Sequence, residues 1–208
     1  MSAVDIQSGG KRIGFSLYLS TYLMELAAFP SPIRDKLGSM AEQPRFQLIS
    51  QDQIDRLTAR AQALPRRRVN WNLHDSLEDP VHRFLNVMLR GTFVAPHRHT
   101  TPPKPESFVV LEGEVALYQF SESGSVEALT LLGPATSPRV FGIDLAAGVW
   151  HTLVVLSPAA TIFEVKPGPY TAATDKDFAP WAPREGDADA PGYLVRLEAL
   201  AEKARAGA

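Results

Sequence analysis

The hydrophobic period of this chain changes at Arg68. Before it, Ile54, Leu57, Ala61 and Leu64 recur at helical spacing, which predicts an amphipathic helix packed on the outside of the domain. Ser50 with Gln53 forms a capping-box pattern at its start, and Pro65 closes it. From Arg68 the period is two. Val69, Trp71 and Leu73 alternate with Asn70, Asn72 and His74, as in a strand with one apolar and one polar face. Further strands are expected over 83–89, 91–95, 107–120, 126–132, 139–145, 150–156 and 161–166. Turn signals separate them at Glu112-Gly113, Ser123-Gly124, Gly133-Pro134, Ala147-Gly148 and Ser157-Pro158. Many short strands with no helix between them predict a mainly β fold, an antiparallel sandwich or barrel. The Pro- and Trp-rich stretch 167–183 reads as an ordered arm over that barrel. Residues 193–206 read as a helix with Leu194, Leu197, Leu200 and Ala201 on one face. The expected division is an extension over 1–46, with helices over 15–28 and 32–39, then a β-barrel domain with its leading helix over 47–186, then a C-terminal helix within 187–208.

Composition narrows the chemistry. A 45% hydrophobic and 21% charged chain is globular in character. Its net charge of −2 gives no case for nucleic-acid binding, and Arg66-Arg67-Arg68 is too short a run to make one. The absence of cysteine removes disulfides, thiolate metal sites and cysteine nucleophiles together, so any metal must take histidine and carboxylate ligands. The apolar segment 13–29 follows Lys11-Arg12, but Ser16, Ser20, Thr21 and Glu25 interrupt it and no small-x-small cleavage pattern follows. It is also too short and polar to span a bilayer. A cytoplasmic protein with no membrane partner is expected, with Met40 as an alternative start just before the better-patterned domain.

Candidate chemistry concentrates on His97 and His99. Residues i and i+2 of a strand share a face, roughly 6.5–7 Å apart, so two imidazoles there can converge on one ion. Glu106 and His151 complete a set of three histidines and one carboxylate. Taken singly, each has an ordinary explanation: a packed or surface histidine, a solvated glutamate, a ring beside Trp150. The joint pattern Gly91-x5-His97-x-His99-x6-Glu106-x6-Gly113, followed by Gly148-x2-His151, points instead to a metal site. Its glycines permit tight turns at strand ends, and Pro102, Pro103 and Pro105 interrupt the strand between His99 and Glu106. Such a shell suits one divalent ion: iron, manganese, nickel, cobalt or zinc. In an octahedral ion it leaves two adjacent positions for a small-molecule ligand.

These spacings resemble the two cupin motifs. Three features depart from them: the gap from His99 to Glu106 is two residues longer, and Ala146 and Val155 stand where proline and asparagine are typical. The strings Asn72-Leu73-His74, Pro96-His97-Arg98-His99, Lys104-x-Glu106-Ser107, Gly148-Val149-Trp150-His151-Thr152, Glu164-Val165-Lys166-Pro167-Gly168-Pro169-Tyr170 and Asp175-Lys176-Asp177-Phe178-Ala179-Pro180-Trp181-Ala182-Pro183 resemble the WbuC family. That is a group of cupin-fold metalloproteins, some encoded near bacterial O-antigen and exopolysaccharide genes. The resemblance covers roughly 46–186. It implies an antiparallel jelly-roll (cupin) β-barrel with flanking helices, and a metal held by His97, His99, Glu106 and His151. It indicates the scaffold better than the reaction. Jelly-roll barrels also pair through an edge strand or an N-terminal segment, so a homodimer is expected, with the 13–29 segment as one contact.

Around the metal, Lys104 stands where the usual glutamate would fall; it either holds an anionic group or is a surface lysine. Glu164 and Lys166 share a strand face, as an acid–base pair or as a salt bridge. These three are the candidate catalytic residues. Arg83, Asn86, Asn72 and His74, with Asn70, are candidate ligand-binding groups at the barrel mouth. Tyr170 and Trp181 are candidates to close it, while His82 is expected to be structural or exposed. The function expected is that of a metal-dependent isomerase, epimerase or dioxygenase acting on a sugar-like or hydroxy-acid molecule. The alternatives are a non-catalytic binding or regulatory module and a metal that merely staples the barrel.

Overall fold

The computed structural model describes residues 46–207. The helices expected over 15–28 and 32–39, the alternative start at Met40 and the 13–29 dimer contact lie outside them. From Leu48 onward the chain forms one compact unit.

Helix α1 (Gln51–Gln62) starts as its sequence predicts. Ser50 is extended, and its Oγ accepts from Gln53 N at 3.3 Å. Ile54, Leu57 and Ala61 are buried, whereas Leu64 lies beyond the helix end and is 41% exposed. Ten strands follow: β1 (Arg68–Asn72), β2 (Val81–Leu89), β3 (His97–Arg98), β4 (Glu106–Glu112), β5 (Val115–Phe120), β6 (Val126–Leu132), β7 (Gly142–Leu145), β8 (Trp150–Val155), β9 (Ala159–Pro167) and β10 (Asp177–Phe178). Helix α2 (Ala190–Ala206) ends the described chain.

The strands form two five-stranded sheets, ordered β1-β2-β9-β4-β7 and β10-β3-β8-β5-β6. The strand pairs within them are antiparallel. The fold is therefore mainly β, with two antiparallel sheets and two flanking helices. Three expected strands are corrected. Residues 107–120 form two strands, because Gly113 turns the chain at φ +75° and a Cβ there would lie 2.1 Å from Ala159 O. Residues 139–145 shorten to β7. Residues 91–95 form no strand: Gly91 turns at φ +85°, and Phe93 O and Val94 O accept side-chain bonds from Arg68 and Thr152 instead of ladder bonds.

Apolar burial holds the layers together. Met88, Phe108, Val110 and Ile162 of the first sheet pack on Val115, Leu117, Leu153 and Val155 of the second. The outer face of the second sheet, with Tyr118, Phe120, Trp150 and Val154, is covered by Leu194, Leu197 and Ala201 of α2. Leu200, expected on that face, is 49% exposed because it falls at the edge of the helix stripe. Helix α1 covers Leu85 and Val87 on the outer face of β2. At one end of the molecule the inner face changes character: Asn86, His82, Glu164 and Lys166 replace the apolar side chains.

Candidate metal centre and adjoining cavity

His97 and His151 are direct register partners on β3 and β8, with ring centroids 4.4 Å apart. His99 follows on the same face two residues after His97, as the strand period requires. Glu106 opens β4 on the opposite sheet. The four donors thus come from both sheets. All four side chains are buried, and their ligand atoms lie within 4.8 Å of one another. Donors on opposite sides of one ion, each bound at about 2.1 Å, stand roughly 4.2 Å apart, so the cluster has the size of a metal shell.

The hydrogen bonds behind the rings orient them. His97 Nδ1 donates to Ala95 O at 2.9 Å and His151 Nδ1 to Val149 O at 2.9 Å, while His99 Nδ1 donates to Asp175 O. Each Nδ1 is occupied, which leaves Nε2 as the free lone pair facing the cluster. His99 Nε2 and Glu106 Oε1 meet there, yet both are buried without a hydrogen-bond partner. Buried polar atoms left that way are rare in proteins, and a divalent cation among them would satisfy both. Burial, with the charge of Lys176, holds His97 well below the ordinary imidazole range. Burial also pushes His151 down to about 4. Burial opposes ionisation of Glu106, but the close approach of His99 and the charge of His151 outweigh it and hold the carboxyl below its usual range. Neutral imidazoles and an ionised carboxylate are the states that bind metal.

Asp175 ties this cluster to its surroundings. Its carbonyl receives the His99 bond, and its carboxylate accepts from Lys104 at 3.2 Å and from Lys166 at 3.1 Å. Lys104 also donates to Pro169 O at 2.6 Å. Lys104 is thus neither a surface lysine nor a free cation; it pins the arm after β9 beside the metal centre. Glu164 lies 3.9 Å from Lys166, and burial, then repulsion from Glu106, raise its carboxyl to about 8. Lys176 is half-buried, and burial with repulsion from Lys166 lowers its ammonium from the ordinary value. Asp175 and Lys176 reach the centre through the arm; their sequence signals are a charged pair inside a Pro-rich stretch and a place at the start of the Asp175–Pro183 string.

A cavity of about 520 Å³ adjoins this network and is lined by Glu164, Lys166, Asp175 and Lys176. The four metal-type donors are not among its lining residues, but Asp175, whose carbonyl accepts from His99, is. Of the ligand-binding candidates, the fold brings Asn72, Asn86, His74 and Tyr170 to the cavity, together with Asn70. Arg83 is not among them. It has the opposite parity to Asn86 on β2, so it shares the outer face with Leu85 and Val87, and it is exposed. Trp181 is also placed elsewhere: it packs on Phe120 at 5.0 Å behind the second sheet. His82 is buried and lines the cavity rather than facing solvent.

Comparison with known proteins gives three results. A family model described as a domain of unknown function, DUF6016, matches residues 49–132, a span that includes His97, His99 and Glu106 but not His151. No curated protein matches the chain. Among solved structures, the chain is similar to a cupin superfamily protein from Desulfitobacterium hafniense, at 15% identity and a TM-score of 0.38, over 48% of this chain and 76% of that one. It is similar to KdgF from Halomonas sp., at 14% identity and a TM-score of 0.38, over 51% and 82% of the two chains. It is also similar to an oxalate oxidase in complex with the substrate analogue glycolate, at 13% identity and a TM-score of 0.42, over 57% of this chain and 58% of that one. These overlaps are partial and the identities low, so the fold assignment rests on the two antiparallel sheets themselves.

Proposed function

We propose that this chain is a WbuC-type cupin metalloprotein that holds one divalent ion through His97, His99, Glu106 and His151, and that acts on a small, anionic, oxygen-rich molecule of the hydroxy-acid or sugar-acid kind. The observation that carries the reading is the buried four-donor cluster, with each histidine oriented from behind by a carbonyl. The charge count supports an anionic ligand. Lys104, Lys166 and Lys176 face Glu106, Asp175 and a Glu164 that keeps its proton toward pH 8, so a bound divalent cation would leave the region net positive. Bound metal would supply Lewis-acid polarisation of an oxygen on the ligand. Glu164, holding its proton toward pH 8 beside Lys166, gives the cavity wall a group able to donate or accept a proton near neutrality. That favours isomerisation or epimerisation over oxidation.

The second reading is a binding or regulatory module without turnover. What favours it is that Lys104 and Lys166 both spend donors on Asp175. Elemental analysis of protein purified without chelator or added metal tests the common part: about one transition-metal ion per chain is expected, and a metal-free, folded protein would refute it. Incubating the loaded protein with a hydroxy-acid and aldonic-acid panel then separates the readings, since turnover supports the enzyme and tight binding of unchanged ligand supports the module.

A cytoplasmic homodimer belongs to the same proposal. Among the described residues no helix is long and apolar enough to cross a membrane. Val140 and Phe141, just before the edge strand β7, are 52% and 55% exposed, which suits a pairing surface. Light scattering at micromolar concentration should return twice the chain mass; the mass of one chain would contradict the dimer.

A further inference from the structure

The cavity continues beyond the charged network to a wall of different chemistry. Register sets Asn70 beside Asn86 and Asn72 beside Phe84, with His82 opposite Lys166 on the far side of β2. His74 follows β1 and stacks on His82, with ring centroids 4.1 Å apart and planes 2° from parallel. Adjacent strands lie about 4.8 Å apart, so this β1–β2 wall stands roughly 5–10 Å from β9, which carries Glu164 and Lys166.

Two buried atoms of the wall have no hydrogen-bond partner: His74 Nε2 and Asn86 Oδ1. Both residues line the same cavity, and His74 is only 7% exposed. His74 Nδ1 lies 3.1 Å from Arg83 O and 3.2 Å from Arg83 N, so it donates to the one or accepts from the other, and Nε2 takes the complementary role. Asn86 Oδ1 is an acceptor. A hydroxyl group, which both donates and accepts, satisfies His74 Nε2 in either tautomer and Asn86 Oδ1 as well. Phe84, between His82 and Asn86 on β2, offers a flat apolar surface to C–H groups. The arginines at this end do not call for a second anion, because Glu185 already binds Arg66 at 2.6 Å and Arg68 at 2.7 Å.

We infer that the β1–β2 wall is a second recognition subsite, in which His74 and Asn86 bind hydroxyls of an uncharged, polyhydroxylated part of the ligand remote from its metal-binding end. His74 stacks on His82, which is four residues from Asn86 along β2, roughly 13 Å of strand, so His74 and Asn86 contact different hydroxyls of an extended molecule. The inference rests on the proposed function only for the anchoring of the acidic end.

Three probes share an α-hydroxy-acid head and differ in their hydroxylated tails: L-lactate, D-gluconate and lactobionate. Titration calorimetry on the metal-loaded full chain should show lactobionate binding at least about tenfold more tightly than lactate, as two added hydrogen bonds allow. His74→Phe, which keeps the stacked ring, and Asn86→Ala should each weaken lactobionate by about three- to tenfold and leave lactate unchanged. Equal affinity for all three probes, or variants that weaken lactate as much as lactobionate, would overturn the subsite while leaving the metal-site reading intact. Should none of the three bind, the anionic-ligand reading and the subsite fall together. If His74→Phe fails to fold, Asn86→Ala decides alone.

Discussion

Replacing His151 with alanine is expected to lower the affinity for a divalent probe such as zinc by a few hundred-fold. Structural zinc sites bind with about 10–16 kcal/mol, roughly 2.5–4 kcal/mol per donor when spread over four ligands. His151 is the donor that closes the shell from β8, facing His97 across the ladder and lying 3.6 Å from Glu106 Oε1. The two histidines outside the cluster, His74 and His82, do not stand near enough to replace it. Competition titration against a chelator would measure the loss. Arg83→Ala, on the outer face, is the control and should bind metal as the unaltered protein does. Equal affinity in the His151 and Arg83 variants would show that the cluster is not the metal site.

Metal-free protein is expected to lose about 2 kcal/mol of stability as pH falls from 6.5 to 4.5. The unfolded chain protonates His151 near 6.5, but the folded chain only near 4. Across that window the unfolded state binds the extra proton, so stability falls with falling pH. His97, also lowered, acts in the same direction. Glu164 opposes them. Its folded carboxyl, raised to about 8 from 4.5, keeps a proton that the unfolded chain releases above 4.5, so its contribution is lost as pH rises. Two histidines against one carboxyl leave a net slope of about one proton over two pH units, or roughly 2–3 kcal/mol. Urea titrations of chelator-treated protein at pH 6.5, 5.5 and 4.5 would measure it. Glu164→Gln, which removes the opposing group, should steepen the loss, and a stability independent of pH in both proteins would refute the balance.

The four-donor cluster was legible in the sequence because the requirement is local. His97 and His99 need only the two-residue strand period, and an all-histidine and carboxylate donor set follows from the absence of cysteine. Helix α1 was legible for a similar reason: its cap and its apolar stripe lie within a dozen residues. Arg83 shows where such reading stops. Its grouping with Asn86 mixed two parities of one strand, and only the register shows which parity faces inward. Leu200 went wrong on a finer scale, since a helix stripe has a width that sequence spacing does not fix and packing against the sheet does.

Asp175 marks the deeper limit. Its backbone carbonyl orients His99 and its carboxylate joins Lys104 to Lys166, contacts that span as many as 76 residues. A carbonyl has no sequence identity, so nothing in the composition of the arm announces that one of its peptide groups orients a donor of the cluster. The sequence by itself determined the β class, the helices that flank it and the four donors, because these depend on periodicity and on residue chemistry. Tertiary structure alone decided how the lysines are paired, which strand face lines the cavity and which buried atoms there lack partners. Those depend on strand register and on the path of the arm, which arise only when distant segments close on one another.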